Sequence, residues 1–196
     1  DSVIKVNLSE IEPMIALPFH PSNAITIKEL LSDPYKYLSE CEKRGNELIK
    51  KGSFRLTDKI TPDGKIKVDQ AIIAGCAGGT YDNIEEACAI LRGHGVGGKL
   101  SVSVYPGSMP AYIDLSKKGL LAELMAEGVN VKTAFCGPCF GAGDVPANNG
   151  LSIRHTTRNF ESREGSKPGE GQLACVALMD ARSIAATARN GGYLTP

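Results

Sequence analysis

Between Val68 and Val104 the spacing of apolar residues changes period twice, and this restricts the fold more than any other feature. An unbroken apolar run, Val68 to Cys76, gives way to helical spacing over Ile84 to Arg92, then to the alternation Leu100, Val102, Val104. Strand, helix and strand within about 35 residues make a βαβ unit, whose strands pair in parallel because the connection is long. A second round follows, with helical spacing over Met109 to Lys118 and Leu120 to Ala126 and a strand over Val129 to Phe135. The loop Cys136 to Gly150, the strand Leu151 to Thr156, a polar glycine-rich segment Asn159 to Gly171 and a helical pattern over Ala174 to Arg189 complete the chain. The expected class is α/β: a three-layer α/β/α arrangement around a mostly parallel open sheet, with ligands bound beyond the carboxyl ends of the strands.

The first sixty residues read differently. Val3, Ile4 and Val6 alternate with polar residues, and Pro13, Pro18 and Pro21 then prevent a continuous helix, so residues 1–23 read as an arm laid over something larger. Apolar spacing from Ile25 to Lys51 predicts two helices interrupted at Asp33-Pro34, and Thr57 to Lys67, with Pro62-Asp63-Gly64, has turn chemistry. The expected division is therefore 1–60, an arm and helices forming the tail of a preceding domain, and 61–196, an α/β domain. A first residue that is Asp, with no charged and apolar leader behind it, reads as a chain that begins mid-protein or has been processed.

Composition narrows the function classes. Lys and Arg total 22 against 22 Asp and Glu, so the formal net charge is zero and a general polyanion binder, nucleic acid included, is not expected. No apolar run approaches the ~20 residues that span a bilayer, so no membrane partner is expected. Six irregularly spaced cysteines are too few for a disulfide scaffold, which points to a reducing, cytoplasmic compartment.

Three strand ends carry unusual residues: Gly75-Cys76-Ala77-Gly78-Gly79, Cys136-Gly137-Pro138-Cys139, and Thr157-Arg158-Asn159-Phe160-Glu161-Ser162-Arg163. If the strands are neighbours, three thiols and two guanidiniums open on one crevice. Cys136-Gly137-Pro138-Cys139 has the spacing of a dithiol redox motif, but such a motif needs a helix behind it to lower the thiol pKa. Phe140-Gly141-Ala142-Gly143-Asp144-Val145-Pro146 cannot sustain one. The alternative is that Cys76, Cys136 and Cys139 supply three soft thiolates to one centre, an iron-sulfur cluster or zinc. Arg158 and Arg163 suit bidentate carboxylate binding, or are simply solvated. Cys41, Cys88 and Cys175 fall on apolar helical faces and read as core, His155 as a structural histidine, and Ser108 as a helix N-cap before Met109.

Taken together and in order, these motifs resemble the aconitase family. The match runs from Asn7-Leu8-Ser9-Glu10-Ile11-Glu12-Pro13 and Pro18-Phe19-His20-Pro21 through Gly75-Cys76 and Tyr105-Pro106-Gly107-Ser108. It continues through Cys136-Gly137-Pro138-Cys139 and Arg158-Asn159-Phe160-Glu161-Ser162-Arg163. The resemblance is to the third, cluster-carrying domain, preceded by the tail of the domain before it. It implies that Cys76, Cys136 and Cys139 ligate a [4Fe-4S] cluster, that Arg158 and Arg163 hold carboxylates of a small carboxylic-acid substrate, and that the reaction is the reversible dehydration of a hydroxy di- or tricarboxylic acid. The family's catalytic serine base and its histidine–aspartate pairs lie in other domains, so no catalytic residue is assigned here. The remaining aconitase-type domains are expected in the same chain or another subunit, and the fragment alone is expected to be inactive, with its thiols unligated.

Four residues, in two places, depart from the family pattern. Gly75-Cys76-Ala77-Gly78 stands where Ser-Cys-Thr-Asn is usual, and Thr157 stands where Asn usually precedes the first arginine. Polar neighbours tune such sites, and their loss opens the alternative of a divergent binding or regulatory domain without a cluster.

Overall fold

A computed structural model describes residues 2–196. The first strands are short: β1 (Met14–Ala16) and β2 (Ala24–Thr26) pair antiparallel, Ile15 opposite Ile25. Two helices follow, α1 (Ile27–Ser32) and α2 (Pro34–Ile49). The Asp33-Pro34 interruption is itself the start of the second helix. The Asp33 side chain accepts the Lys36 N–H at 3.1 Å, and the fixed φ of Pro34 suits the first turn.

The regular part of the chain then supplies β3 (Gln70–Ala74), a single turn α3 (Gly75–Gly78), α4 (Tyr81–Leu91), β4 (Ser101–Tyr105), α5 (Met109–Lys117), α6 (Leu120–Ala126) and β5 (Asn130–Val131). Ser108 caps α5 as expected, accepting the Ala111 N–H at 3.3 Å. The last elements are β6 (Gly150–His155), β7 (Ala174–Met179) and α7 (Ala181–Arg189).

These strands form one seven-stranded open sheet in the order β2-β1-β7-β6-β3-β4-β5. The five strands from β7 to β5 are mutually parallel, and β1 joins β7 antiparallel, so the architecture is the mostly parallel α/β class expected from the period changes. The N-terminal segment is built into this sheet. Ile15, Leu17 and Phe19 are buried, and Pro13, Pro18 and Pro21 flank the two short strands without interrupting their ladder.

Two expected elements differ. Ala174 to Arg189 is not one helix: Ala174–Met179 is a strand and the helix begins at Ala181. A strand flanked by partners on both sides is apolar throughout, so its period cannot be read, and its alanines mimic helix formers. Asp180, whose carboxylate accepts the Arg182 and Ser183 N–H groups, marks the true helix start. The expected strand Val129 to Phe135 is reduced to Asn130–Val131, because it lies at the sheet edge and pairs on one side only, with β4.

The central strands have two unlike faces. Ala71, Ile73, Val102, Val104, Leu151 and Ile153 point into the main core, which also contains the buried positions of α1, α2, α4, α6 and α7. The opposite face presents Gln70, Ile72, Ala74, Tyr105, Ser152 and Arg154 and is covered by the connection between β5 and β6. Among the described residues no helix is long and apolar enough to cross a membrane, and all six cysteines are free thiols.

Candidate functional site

Because β3, β4 and β6 are adjacent and parallel, their carboxyl ends open on one edge of the sheet. At the end of β3 the chain turns through Gly75, whose φ of +70° is a conformation that L side chains rarely adopt. It then passes as α3 between the ends of β6 and β4. A Cβ on Gly78 would collide with the His155 carbonyl, and one on Gly79 with the Tyr105 carbonyl. Close packing at Gly78 therefore admits no side chain. Cys76, on this turn, is exposed.

From β5 the chain returns across the same edge. Gly137–Cys139 forms one 3-10 turn, and Phe140 leaves helical geometry with φ −135°. A Cβ built on Gly75 would stand 3.0 Å from Cys139 Sγ and 3.4 Å from Cys136 Sγ. The Cys136–Cys139 turn and the Gly75-Cys76 turn therefore meet, although sixty residues and two strands separate them in sequence. Cys136 is exposed and Cys139 is 5% exposed. Burial, the hydrogen bond and charge of Cys136, and the charge of Cys76 together push the Cys139 thiol up to about 11. No helix runs on behind the pair, so the dipole that a redox dithiol relies on is missing.

The arginine loop follows β6, beside β3. Arg163 Nη2 donates to the Cys139 carbonyl at 2.9 Å, which ties this loop to the thiol turn. Its Nε is buried without a hydrogen-bond partner. Arg158 is exposed and makes no hydrogen bond or ion pair with the protein among the described residues. Asn159 between them is 1% exposed, and its Nδ2 donates to the carbonyls of Ala16 (3.2 Å) and Leu17 (2.8 Å). The Phe19 N–H returns a bond to the Asn159 carbonyl at 2.9 Å. The N-terminal segment thus holds the arginine loop in place.

Sequence reasoning missed this clasp and the support under the thiol turn. Arg154, 1% exposed on β6, donates to the carbonyls of Pro138 (2.6 Å) and Asp144 (3.0 Å). Gln70 Nε2 also donates to the Asp144 carbonyl, at 3.0 Å, and the Tyr105 hydroxyl to the Asp144 carboxylate, at 2.8 Å. Burial lowers the Arg154 guanidinium to about 10, which leaves it a cation at neutral pH. The one signal in the sequence was the alternation Leu151-Ser152-Ile153-Arg154, which marks a strand with one polar face.

The three thiols read as core are buried, but only Cys41 and Cys88 lie on helices, while Cys175 is on β7; burial pushes Cys41 up to about 12 and Cys88 up to about 11. His155 is half-buried with its Nδ1 unpartnered, and burial lowers its pKa. Among the described residues no three His, Cys, Asp or Glu side chains converge as ligands of a single metal ion.

The model of the aconitase family (aconitate hydratase) matches residues 1–186. The chain belongs to the aconitase family. Similar proteins include the 3-isopropylmalate dehydratase large subunit of Caldanaerobacter subterraneus subsp. tengcongensis, 29% identical over 184 residues, 93% of this chain and 36% of that protein. The protein of the same name from Moorella thermoacetica is 29% identical over 182 residues, 92% of this chain and 35% of the relative. The 3-isopropylmalate dehydratase large subunit 2 of Rubrobacter xylanophilus is 29% identical over 194 residues, 98% and 37% respectively. This aconitase-family chain thus spans about a third of the length of the curated relatives it matches.

Proposed function

We propose that this chain is the cluster-binding part of an aconitase-type hydro-lyase that reversibly dehydrates a small hydroxy di- or tricarboxylic acid. The observation that carries the reading is the convergence of the Cys136–Cys139 turn on Gly75-Cys76 at the carboxyl edge of a parallel sheet. Family membership and relatives named as dehydratases support the reaction class. In this reading residues 61–196 carry the site and residues 1–60 join it to a preceding domain. Relatives named as large subunits support partners beyond this chain, as further domains or a second subunit.

The donor set suits a [4Fe-4S] cluster better than zinc. Thiolates are soft ligands, and in a cluster each goes to a different iron, so they need not converge on one point as the ligands of a single zinc ion must. Cys76, Cys136 and Cys139 would hold the cluster, which would supply a Lewis-acidic iron to a substrate hydroxyl. The glycine at position 75 leaves room for the sulfurs that a side chain would fill. Arg158, exposed on the loop that follows β6, would take a carboxylate in its planar fork and orient the substrate. Arg163, already bound to the Cys139 carbonyl, keeps one buried donor free for an acceptor at the same place.

A second reading, a divergent binding or regulatory domain without a cluster, is favoured by the apolar neighbours Gly75, Ala77 and Gly78 around Cys76. Iron and acid-labile sulfide content of anaerobically reconstituted protein, wild type beside Cys76→Ser, separates the two. About four irons per chain, lost or reduced in the variant, is expected for the hydro-lyase domain. No iron in wild type, in this chain and in the full enzyme, would establish the divergent domain instead.

A further inference from the structure

A buried arginine on a central strand needs an explanation. Arg154 has four acceptors, all neutral: Ser152 Oγ (3.0 Å), Gln70 Oε1 (3.1 Å) and the carbonyls of Pro138 (2.6 Å) and Asp144 (3.0 Å). Among the described residues no ion pair includes it. The nearby carboxylates of Asp144 and Glu164 are instead engaged by the hydroxyls of Tyr105 and Ser166. A permanent cation taken out of water is costly unless its donors are all used. Here two of its hydrogen bonds reach two points of the loop between β5 and β6, Pro138 within the thiol turn and Asp144 six residues on, and the other two brace the guanidinium against the sheet.

The Asp144 carbonyl is held a second time, by Gln70. At the thiol turn, successive carbonyls are taken by two guanidiniums, Pro138 by Arg154 and Cys139 by Arg163. The loop has almost no regular structure of its own, one 3-10 turn between long irregular stretches. Something outside it must set where its thiols stand.

We propose that Arg154 is the positioning residue of the thiol loop: its buried fork clamps the Pro138 and Asp144 carbonyls to β6 and so fixes Cys136 and Cys139 over Gly75-Cys76. The role requires the fork and not the charge alone. Three nitrogens spread in one plane reach Ser152, Gln70 and both carbonyls together, whereas the single ammonium of lysine cannot span them. The positioning stands on the loop's own hydrogen bonds; its purpose, to present thiolates to a cluster, rests on the reading proposed above.

The test is residue-resolved alkylation of the cluster-free protein by iodoacetamide under native conditions, read by mass spectrometry, for wild type, Arg154→Lys and Arg154→Gln. Cys76 and Cys136 should label quickly in all three, being exposed, and Cys139 slowly in wild type. In both variants Cys139 labelling should rise at least tenfold while the buried Cys41, Cys88 and Cys175 stay protected, and the charge-retaining lysine should not restore protection. Unchanged Cys139 protection in Arg154→Lys overturns the proposal. So does an equal rise at Cys41, Cys88 and Cys175, which would make Arg154 a general stabiliser. If the glutamine variant does not fold, the lysine variant decides alone. A parallel measurement follows the brown absorbance of reconstituted protein in EDTA, which should decay several-fold faster in the variants. A wild type that takes up no iron would count against the cluster reading, while the alkylation result would still decide the positioning.

Discussion

Gly75→Ala probes the meeting of the thiols directly. The substitution has two costs that can be worked separately. Gly75 has φ +70°, and placing an L residue there costs roughly 1–2 kcal/mol. The new methyl would also stand 3.0 Å from Cys139 Sγ, tighter than ordinary contact, and 3.4 Å from Cys136 Sγ, at the edge of ordinary contact. Forcing a carbon into such a packed place adds about 1–3 kcal/mol. Gly64, with φ +79° and open space where its Cβ would be, isolates the first cost. Gly64→Ala should therefore lose roughly 1–2 kcal/mol and Gly75→Ala at least about 1 kcal/mol more. Urea denaturation resolves this, because for a typical urea slope 1 kcal/mol moves the midpoint by about 0.3–1 M. A double-mutant cycle with Cys139→Ala identifies the partner. Removing the sulfur should relieve most of the added cost, a coupling of about 1 kcal/mol or more, which is the size found for residues in contact. Equal destabilisation by Gly64→Ala and Gly75→Ala, with no coupling to Cys139, would show that the thiol turn does not sit on Gly75, and the site described above would fall with it.

Two further predictions test the surroundings of the site. Asn159→Ala should cost about 1–3 kcal/mol in the same assay, since the carbonyls of Ala16 and Leu17 lose their donor, with partial relief because the buried Asn159 Oδ1 has no partner to lose. Proteolysis should then cut residues 157–163 faster, and an unchanged digestion pattern would argue against the clasp. For His155, burial lowers the folded pKa below the unfolded value of about 6.5, with Asp180 opposing and Arg182 adding to the shift. The unfolded state therefore binds more protons just below that pH, so stability is full above about 6.5 and declines as pH falls through it. His155→Gln should flatten the stability curve below about pH 6.5, and a curve of unchanged slope would assign the acid sensitivity elsewhere.

The sequence by itself determined the class of the fold and the identity of the chemical groups. Its alternating periods required strand, helix and strand in succession, and the handedness and parallel pairing of such units leave few ways to arrange them. The soft donor set and the planar arginines were equally legible, because thiolate and guanidinium chemistry belongs to the residue type and not to its surroundings. The same sequence misled at Ala174–Met179, where a strand buried among partners shows no period, and it was silent about Arg154, since nothing in Leu151-Ser152-Ile153-Arg154 says which face is covered or by what. Only the tertiary structure decided that β3 lies between β6 and β4, that the β5–β6 connection folds back over their ends, and that glycine at 75, 78 and 79 is what lets the turns touch. The physical reason is that strand order and loop path depend on contacts between residues distant in sequence, such as Gln70 with Ser101 and with Ser152, which local propensity cannot encode.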